Sequence, residues 1–500
     1  MKTIPWENAV SYCAFGAAGD GKTNDIQAII AAHAYANAHG LPVRGDAGKI
    51  FYISAASEGA VVQTDTDWTD VSFIIDDSGV GVDDKDVHIF SVTPASESYE
   101  AESVPDSIRK GQTKLDIPLP GPSMLLLQEK GKRRYIRFGD PAGKGAPQTE
   151  AVLVDGDGNV DPAAPIVWEY ENITSLRIFP ADPEPLTIRG GTFTTIANRQ
   201  EVNCAYYSRG IKITRSNVVL DGLKHYVVGE DGISAPYFGI LTVQNCANTT
   251  IRNCVFTAHK DCAMGGTYDI TLICTVNLTF ENCIQQNDIL DGKYFGVMGS
   301  NLCKNITMKE CIFSRFDAHE GVANTTILGC TLGRQCLNAI GFGTLRVEDS
   351  TLYGWSFINL RPDYGASWEG DVIIRRCTWI PYMGNPLKDN HSVINGGHDD
   401  FRDYGYDCCM PRHITIDGLH VDDSRGVEGF PGVFLLSNAT GRRTSEAYEA
   451  EAKANGRLYA VPETLTVSGF TTASGRTWNL SPNPFMYRSV SVNGADSQQH

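Results

Sequence analysis

One short pattern of polar and apolar positions recurs along most of the chain. Each copy has a turn residue, usually Asn, then a strand of alternating residues, a short polar step and a small or apolar residue. The clear copies begin at Asn217, Asn248, Asn277, Asn305, Asn324, Thr344, Asp371 and His413. They start 31, 29, 28, 19, 20, 27 and 42 residues apart. Because alternation sends one side chain inward and the next outward, a short repeat with variable insertions predicts the stacked coils of a parallel β-solenoid.

Stacking the copies places identical side chains in two columns. The seventh position holds a cysteine in five copies, namely Cys254, Cys283, Cys311, Cys330 and Cys377. Stacked strands lie roughly 4.8 Å apart with their side chains parallel, which is poor disulfide geometry, so we predict a buried ladder of reduced thiols. The first position predicts a ladder of turn asparagines, because asparagine tolerates the left-handed conformation. Its members are Asn217, Asn248, Asn277, Asn305 and Asn324.

The repeat is capped at its start and interrupted once. The segment FGAAGDGKTNDIQAIIAAHAYANAHG predicts a Gly-rich turn and a capping helix that begins after Thr23 or Asn24 and stops at Gly40. Residues 101–180 lack the pattern and predict a small inserted antiparallel β subdomain, with hairpins at KGK and DGDG. After 440, TSEAYEAEAKANG predicts a short helix. We expect four parts: the cap and first coils at 1–100, the insertion at 101–180, the main solenoid at 181–440, and a C-terminal helix, last coil and tail at 441–500.

Composition narrows the classes of ligand. The 42 Lys and Arg residues against 59 Asp and Glu residues give a net charge of −17. This balance disfavours nucleic acid, whose phosphates need a positively charged surface. No run approaches 18 apolar residues, so we expect no membrane span. The first residues lack an apolar signal segment, so we expect a secreted or periplasmic protein if a signal was removed, and otherwise a cytoplasmic or virion-associated one.

The N-terminal segment FGAAGDGKTNDIQAI resembles the FGA-x-GDG-x-T-D-D entry segment of the pectate-lyase superfamily. Together with the coil pattern, the resemblance covers about 1–100 and 181–475. It implies an all-β fold, a single-stranded right-handed parallel β-helix with an N-terminal capping helix, and it implies carbohydrate as the ligand. The superfamily contains polysaccharide lyases, glycoside hydrolases, epimerases and phage tailspike depolymerases, so it leaves the reaction open. The polygalacturonase motifs NTD, DD, GHG and RIK are not present as such, so no catalytic residue is carried over from them.

The loops that follow the ladder positions carry the candidate chemistry, because they leave the coils on one side and are long and polar. Counting from the ladder cysteines places Lys260, Asp288 and Asp317 at matching levels of neighbouring coils. Carboxylates at such levels would stand roughly 5 Å or 9–10 Å apart, which brackets the geometries of retaining and inverting glycosidases. The candidate catalytic residues are Asp288, Asp317, Asp363 and His319. The candidate substrate-binding residues are Lys260, Arg315, Glu320, Arg361, Tyr364, Trp368 and His398.

Three functions fit these residues. The first is cleavage of glycosidic bonds in a poly- or oligosaccharide by a glycoside hydrolase with paired aspartates. The second is β-elimination on a uronic-acid polymer, which needs a base and a cation beside the uronate carboxylate. The third is a tailspike or adhesin that binds glycan without cutting it. The long loop at 381–411 is expected to wall one end of the groove.

No cofactor is expected. A calcium site would have to come from Asp288, Asp291, Asp317 and Glu320, which lack EF-hand spacing. Assembly as a homo-trimer is a further expectation.

Overall fold

The computed structural model describes most of the chain. The described residues are 6–54, 56–139, 142–201, 205–230, 235–262, 265–381, 383–398, 402–439, 459–487 and 490–493, with 447, 450 and 454. Of the helix predicted after 440, residues 447, 450 and 454 are described and are helical, and the rest lies outside the described residues.

The fold is a parallel β-helix with an N-terminal helix and one inserted antiparallel sheet. The N-terminal part contains α1 (Ile26–His39), β1 (Asp20–Asn24), β2 (Val43–Arg44), β3 (Ile50–Ile53), β4 (Ala60–Val62), β5 (Thr66–Asp76) and β6 (Phe90–Val92). The inserted sheet contains β7 (Tyr99–Glu100), β8 (Ser123–Arg134), β9 (Ala146–Val154) and β10 (Ser175–Pro180). The first half of the main β-helix contains β11 (Leu186–Ile196), β12 (Ile211–Ile213), β13 (Val218–Asp221), β14 (Lys224–Val228), β15 (Leu241–Gln244), β16 (Ala247–Arg252), β17 (Val255–Phe256), β18 (His259–Lys260), β19 (Ile270–Ile273), β20 (Val276–Glu281), β21 (Ile284–Gln285), β22 (Tyr294–Gly296), β23 (Met298–Lys309) and β24 (Ile312–Leu328). The second half contains β25 (Thr331–Ala339), β26 (Gly341–Glu348), β27 (Thr351–Tyr353), β28 (Ser356–Leu360), β29 (Trp368–Ile380), β30 (His391–Asn395), β31 (His413–Val421), β32 (Val433–Leu436), β33 (Thr464–Ser468), β34 (Thr471–Thr472) and β35 (Ser491–Asn493).

Each coil contributes short strands to three parallel sheets that run along the β-helix. One of them, which we call the site sheet, contains β6, β12, β15 and β19, then parts of β23, β24 and β25, and then β28, β30 and β32. Residues that face inward on successive coils are apolar and fully buried, as in the column Ile211, Leu241, Ile270 and Met298. These columns form the continuous hydrophobic core of the coils.

Both predicted ladders are confirmed. The five ladder cysteines are buried, and the described cysteines are free thiols. The five turn asparagines have φ between 53° and 62°, the left-handed region. Their amides bond along the column, with Asn248 donating to Asn217 at 3.0 Å and Asn305 donating to Asn277 at 2.7 Å. The amide ladder fixes the same turn in every coil and thereby holds the strands in register.

The capping helix α1 is confirmed, and it ends at Gly40, whose φ of 63° is left-handed. Its N-cap is Asp25, one residue later than predicted, and the Asp25 carboxylate accepts hydrogen bonds from the backbone of Ala18 and Gly19. The buried face of α1 contains Ile26, Ile29, Ala32, His33 and Ala36. Because these side chains cover the first coil, the helix closes the open end of the core.

The inserted antiparallel sheet has the strand order β7, β10, β8, β9. The predicted turn at DGDG is present, because the backbone N–H of Gly158 bonds to the carbonyl of Asp155. The predicted turn at KGK is wrong, because β8 continues through it with a bulge between Glu129 and Arg133. The chain therefore turns later, between β8 and β9. Residues 135–139 follow the end of β8 and lie near the site sheet.

The insertion packs against the β-helix through a mixed apolar and ionic interface. Trp168 of the insertion meets Phe342 of β26 with ring centroids 4.7 Å apart. Below this contact, the buried ammonium group of Lys304 lies 2.5 Å from the buried carboxylate of Glu150. Among the described residues, no helix is both long and apolar enough to cross a membrane.

Candidate functional site

The centre of the candidate site is a bulge in β24. Ala318 pairs with Ser300 of β23, and Glu320 pairs with the next residue, Asn301, so His319 is an extra residue in the strand. A bulge of this kind re-aims the side chains around it. His319 and Glu320 are both half-exposed, whereas Asp317 just before them is fully buried.

Asp317 is held by two guanidinium groups. Arg315 Nη2 lies 2.7 Å from Asp317 Oδ2, and Arg361 Nη1 lies 3.1 Å from Asp317 Oδ1. Asp317 is 0% exposed, and Arg315 is itself buried. A buried carboxylate with two cationic partners fixes the positions of those partners. Asp317 therefore serves as the anchor of an arginine pair.

Arg361 connects this buried anchor to the surface. Its second amino group lies 2.9 Å from Asp363 Oδ2, and Arg137 Nη1 of the insertion lies 2.9 Å from the same oxygen. Both guanidinium groups also lie near the ring of Tyr364, with Arg137 5.0 Å and Arg361 5.3 Å from its centroid. Burial alone would raise the pKa of Asp363, but the hydrogen bonds and charges of Arg361 and Arg137 outweigh it and lower that pKa.

Glu320 has the opposite environment. Its carboxyl group makes no hydrogen bond or ion pair with any described residue. Burial raises the pKa of Glu320 above its ordinary value, and the charges of Arg137 and Arg361 oppose that shift only in part. The site thus contains one carboxyl group that favours its protonated form and one that favours its ionised form. Such a divergent pair can divide the roles of general acid and base.

His319 is neutral at physiological pH in this environment. Burial, and then the positive charge of Arg361, lower its pKa to about 4. Its Nδ1 lies 3.1 Å from the side-chain oxygen of Asn301, and its Nε2 lies 3.4 Å from the hydroxyl of Tyr364. The imidazole therefore acts as a hydrogen-bonding group rather than a cation.

A row of asparagines extends the site toward the C-terminal end. Asp317 pairs with Asn338, which pairs with Asn359, which pairs with Asn395. Asn359 donates to Asn338 at 2.6 Å, and Asn395 donates to Asn359 at 2.9 Å. Asn359 and Asn395 are half-exposed. Their amides present hydrogen-bonding groups at intervals of one coil.

A row of half-exposed aromatic rings extends the site in the other direction. It consists of Tyr206, Phe238, Tyr268 and Phe295, each of which lies just before a strand of the site sheet. Tyr206 and Phe238 are stacked with ring centroids 4.4 Å apart, and Tyr268 meets Phe295 edge to face at 5.5 Å. The guanidinium group of Arg315 lies 4.6 Å from the centroid of Phe295. The aromatic row thus leads directly to the arginine pair.

Four residues expected at the site lie elsewhere. Asp288 is exposed in a turn that leaves the coil, and the neighbour of Ala318 on β23 is Ser300, so the expected stacking of Asp288 on Asp317 is wrong. Trp368 is fully buried with its indole N–H on the carbonyl of Gly343, so it cannot bind substrate.

The other two lie apart from the cluster. Lys260 is exposed, and its backbone N–H bonds to the carboxylate of Glu230. His398 packs near Tyr404 and Tyr459, with ring centroids 5.6 Å and 5.5 Å away.

The four carboxylates considered for calcium do not form a site together. Asp317 is neutralised by two arginines, and Asp288 accepts the backbone N–H of Leu290 in its own turn. Across the part of the chain that the structure describes, no group of three or more His, Cys, Asp or Glu side chains is arranged to hold a metal ion.

The long 381–411 loop forms the wall of a separate cavity of about 910 Å³. The insertion contributes Arg134 and Trp168 to this cavity, β26 contributes Phe342, and the loop contributes His398 and residues 402–408. The loop therefore faces the insertion, and whether it selects the substrate stays a prediction.

Two site residues were missed by the sequence analysis because they come from the insertion. Tyr135 and Arg137 follow β8 in the basic and aromatic run KGKRRYIRFG, whose composition was the available signal. The position of the insertion over the site sheet could not be derived from the coil pattern. The aromatic row is not among the candidate residues from the sequence, because its members precede strands of the site sheet and the candidates were chosen from loops that follow the ladder.

No family model matches this sequence, and no curated protein matches it. Among solved structures, the tailspike protein gp49 from Pseudomonas phage LKA1 has a TM-score of 0.55 at 13% identity, over 97% of this chain and 84% of that chain. The tailspike gp61 of Pseudomonas phage phi297 has a TM-score of 0.53 at 12% identity, over 97% and 84%. The gp54 tailspike of Acinetobacter baumannii bacteriophage AP22, solved in complex with an A. baumannii capsular saccharide, has a TM-score of 0.51 at 10% identity, over 97% and 79%. These similarities confirm the predicted fold class, the parallel β-helix that the pectate-lyase resemblance implies.

Proposed function

We propose that this protein is a carbohydrate-active enzyme that hydrolyses glycosidic bonds, with Glu320 as the general acid and Asp363 as the base or nucleophile. The observation that carries the proposal is the pair of opposite environments, since burial raises the pKa of Glu320 while the hydrogen bonds and charges of Arg361 and Arg137 lower the pKa of Asp363. Glycoside hydrolysis by two carboxyl groups needs this division of roles.

In the proposed reaction, Glu320 gives its proton to the glycosidic oxygen as the bond from that oxygen to the anomeric carbon breaks. The Asp363 carboxylate either attacks the anomeric carbon or removes a proton from the attacking water. Arg361 and Arg137 hold Asp363 in place, and Asp317 holds Arg361 from below. His319 and the asparagine row would hydrogen-bond sugar hydroxyl groups.

The proposed substrate is a polysaccharide laid along the β-helix. Aromatic faces stack on sugar rings, and Tyr206, Phe238, Tyr268 and Phe295 offer such faces on successive coils. The AP22 tailspike, which has the same fold, was solved with a capsular saccharide. We therefore propose a bacterial surface polysaccharide as the substrate and a place on a virion for the protein. Assembly as a homo-trimer stays a prediction, to be checked as a solution mass three times the chain's 54.5 kDa.

Hydrolysis is favoured over β-elimination by the absence of a suitable base in the described site. Elimination needs a base that accepts a proton near neutral pH. The pKa of His319 is lowered to about 4 by burial and the charge of Arg361, and burial raises the pKa values of Tyr268 and Tyr364. The guanidinium groups that would neutralise a uronate are already paired with Asp317 and Asp363.

The proposal is tested with a panel of bacterial surface polysaccharides. Release of reducing ends is measured beside the absorbance of an unsaturated uronide. We expect new reducing ends without that absorbance, and Glu320→Gln should lower kcat on the order of 10²–10⁴-fold. Glu310→Gln is the matched control, because Glu310 is exposed at the turn before β24.

The other outcomes assign other functions. Reducing ends together with the absorbance would mean a lyase. Binding of a glycan without either signal would mean that the site recognises sugar without cutting it.

A further inference from the structure

The candidate site contains two polar groups without partners, and they come from different parts of the fold. One is the carboxyl group of Glu320. The other is the hydroxyl of Tyr135, which is buried and makes no hydrogen bond with any described residue. Buried polar groups are nearly always hydrogen-bonded, so the unpartnered hydroxyl of Tyr135 requires an explanation, whereas the Glu320 carboxyl group is half-exposed and can reach solvent.

We infer that Tyr135 is a positioning residue for Glu320, so that the inserted sheet is a working part of the site. The inference rests on the proposed function and deepens it. In this arrangement the Tyr135 hydroxyl donates a hydrogen bond to the Glu320 carboxylate during the part of the cycle in which Glu320 has lost its proton.

The backbone is arranged to bring the hydroxyl to this position. Tyr135 is 4% exposed and has a φ of 54°, an uncommon conformation for a bulky residue. Its hydroxyl lies over Gly321, the neighbour of Glu320, where an added Cβ would come within 2.0 Å of it. Glycine at 321 thus leaves the space that the hydroxyl fills. Strained backbone of this kind persists where the surrounding structure holds it, often at functional sites.

Aromatic rings from two loops of the β-helix hold Tyr135 in place. Its ring meets Tyr364 edge to face at 5.9 Å and meets Tyr406 at 5.2 Å. Two residues further along, Arg137 is bound to Asp363, the proposed base. One short segment of the insertion therefore contacts Asp363 directly and also lies against Gly321, the neighbour of Glu320.

The proton balance shows why such a donor is useful. When Glu320 transfers its proton to the leaving oxygen, the carbon–oxygen bond breaks and a carboxylate remains in a half-buried place. A hydrogen bond from Tyr135 would stabilise that carboxylate until Glu320 regains a proton from water. While Glu320 is protonated, it carries no negative charge for this bond to stabilise.

Other charged and titratable groups lie near Tyr135 and Glu320, and the variants used in the test leave these groups unchanged. The insertion provides Arg134, Arg137 and Glu150, the loop after β28 provides Arg361 and Tyr364, and the turn after β19 provides Cys274. The charges of Arg137 and Arg361 both lower the pKa of Glu320.

The test compares Tyr135→Phe with the wild type across pH. Loss of a donor to the ionised form should raise the pKa of Glu320, so the alkaline limb of kcat/KM should move upward by roughly one pH unit. The melting temperature should stay the same or rise, because the variant removes a buried hydroxyl without a partner. Tyr99→Phe, an exposed tyrosine of the inserted sheet, is the matched control and should change neither quantity.

A second measurement separates this inference from the proposed function. The titration of Glu320 is followed by NMR of carboxyl-¹³C glutamate, with Glu320→Gln assigning the signal. If Tyr135→Phe raises that pKa in a protein that cleaves no tested glycan, the inference holds and the proposed function fails. If the wild type cleaves glycan while Tyr135→Phe leaves both the pH profile and the titration unchanged, the inference is overturned.

Discussion

A single guanidinium group organises the candidate site at the scale of residues. Arg361 contacts Asp317, which is fully buried, and Asp363, which is partly exposed. The two aspartates are chemically identical, yet burial and partners give them different tasks. Asp317 fixes the arginine, and the arginine fixes Asp363 where solvent and substrate can reach it.

We predict that Asp317→Asn mainly destabilises the protein. Asn keeps the shape but leaves Arg315 and Arg361 without their shared charge, and breaking a buried ion pair costs about 3–5 kcal/mol of the free energy of unfolding. Denaturant unfolding and the kcat of the remaining folded protein measure the two effects separately. Asp288→Asn is the control, since Asp288 is exposed and makes no ion pair with a described residue. Unchanged stability with a large loss of kcat would instead mark Asp317 as a chemical participant.

The sequence was enough to predict which residues lie together in most of the cluster, but not the role of each residue. Asp317, His319 and Glu320 share one coil and Arg361, Asp363 and Tyr364 share another, so the loop pattern was sufficient to group them. Asp317 was expected to be catalytic and Glu320 to bind substrate. The proposed function exchanges these roles, because burial and the contacting arginines give the two carboxyl groups different environments. Residue spacing contains neither quantity.

At the scale of elements, the coils are held together by columns of like side chains. The thiol of Cys311 bonds to the carbonyl of Lys309 at 3.3 Å, and its backbone N–H meets the sulfur of Cys330 at 3.4 Å. Ser350 takes the same position on the coil after Cys330, where its hydroxyl donates to the carbonyl of Glu348 at 2.6 Å and accepts from the backbone N–H of Cys330 at 3.0 Å, so the column accommodates a hydroxyl as well as thiols.

We predict that Cys311→Ser lowers the free energy of unfolding by no more than about 1 kcal/mol, because the hydroxyl can form the same bonds that Ser350 makes in this column. Cys13→Ser, at a half-exposed thiol, is the control and should have little effect. In the native protein, a thiol reagent should label Cys13 and Cys262 before any ladder cysteine. Fast labelling of the ladder would contradict its burial.

A second feature at the scale of elements is a buried row of histidines and carboxylates. It lies where successive coils turn into the site sheet. His259 Nδ1 lies 2.7 Å from Glu230, and its Nε2 lies 3.6 Å from Asp269. Asp269 also lies 2.7 Å from the imidazole of His225. Burial alone would lower the pKa of His259, but the two carboxylates outweigh it and raise the pKa from 6.5 to about 10.

We predict that this row gives a pH-dependent stability. Because the pKa of His259 is higher in the folded than in the unfolded chain, the stabilisation is complete below about pH 6.5 and is lost as the pH rises toward about 10. The destabilisation caused by His259→Gln should therefore be largest near pH 6, at about 3–5 kcal/mol, and shrink in alkaline solution. His420→Gln, at an exposed histidine, is the control. Equal effects at about pH 6 and about pH 9.5 would show that the charge of His259 is unimportant.

At the scale of the whole molecule, the repeat was enough to predict the β-helix, its capping helix and the presence of an insertion. It was not enough to place loops. Counting residues from the ladder cysteines placed Asp288 beside Asp317, on the assumption that both segments follow their coils. Residues 286–293 instead leave their coil before β22. The docking of the insertion depends on contacts such as Trp168 with Phe342, which join distant segments that share no pattern.

The docking of the insertion leads to the last prediction, because Lys304 is its buried tether. The Lys304 ammonium group lies 2.5 Å from Glu150 and 2.7 Å from the carbonyl of Pro165. Glu150 also accepts bonds from the backbone of Val167 and from the hydroxyl of Tyr170. The buried carboxylate of Glu150 thus bonds to several groups of the insertion and also to Lys304 of β23.

We predict that Lys304→Met loosens the insertion while the coils remain folded. Removing Lys304 leaves the charge of Glu150 buried without a partner, at a cost of about 3–5 kcal/mol of the free energy of unfolding. This destabilisation affects the insertion, which positions Tyr135 and Arg137. Hydrogen exchange should therefore rise in 101–180 more than in the coils, and glycan cleavage should fall with it. Lys309→Met on the same strand is the matched control, since Lys309 and its partner Glu281 are both partly exposed. Adding Glu150→Gln to Lys304→Met should restore part of the protection, because the uncompensated charge is then gone. A uniform loss of protection along the whole chain would mean that the insertion and the β-helix unfold as one unit, and that the tether stabilises both.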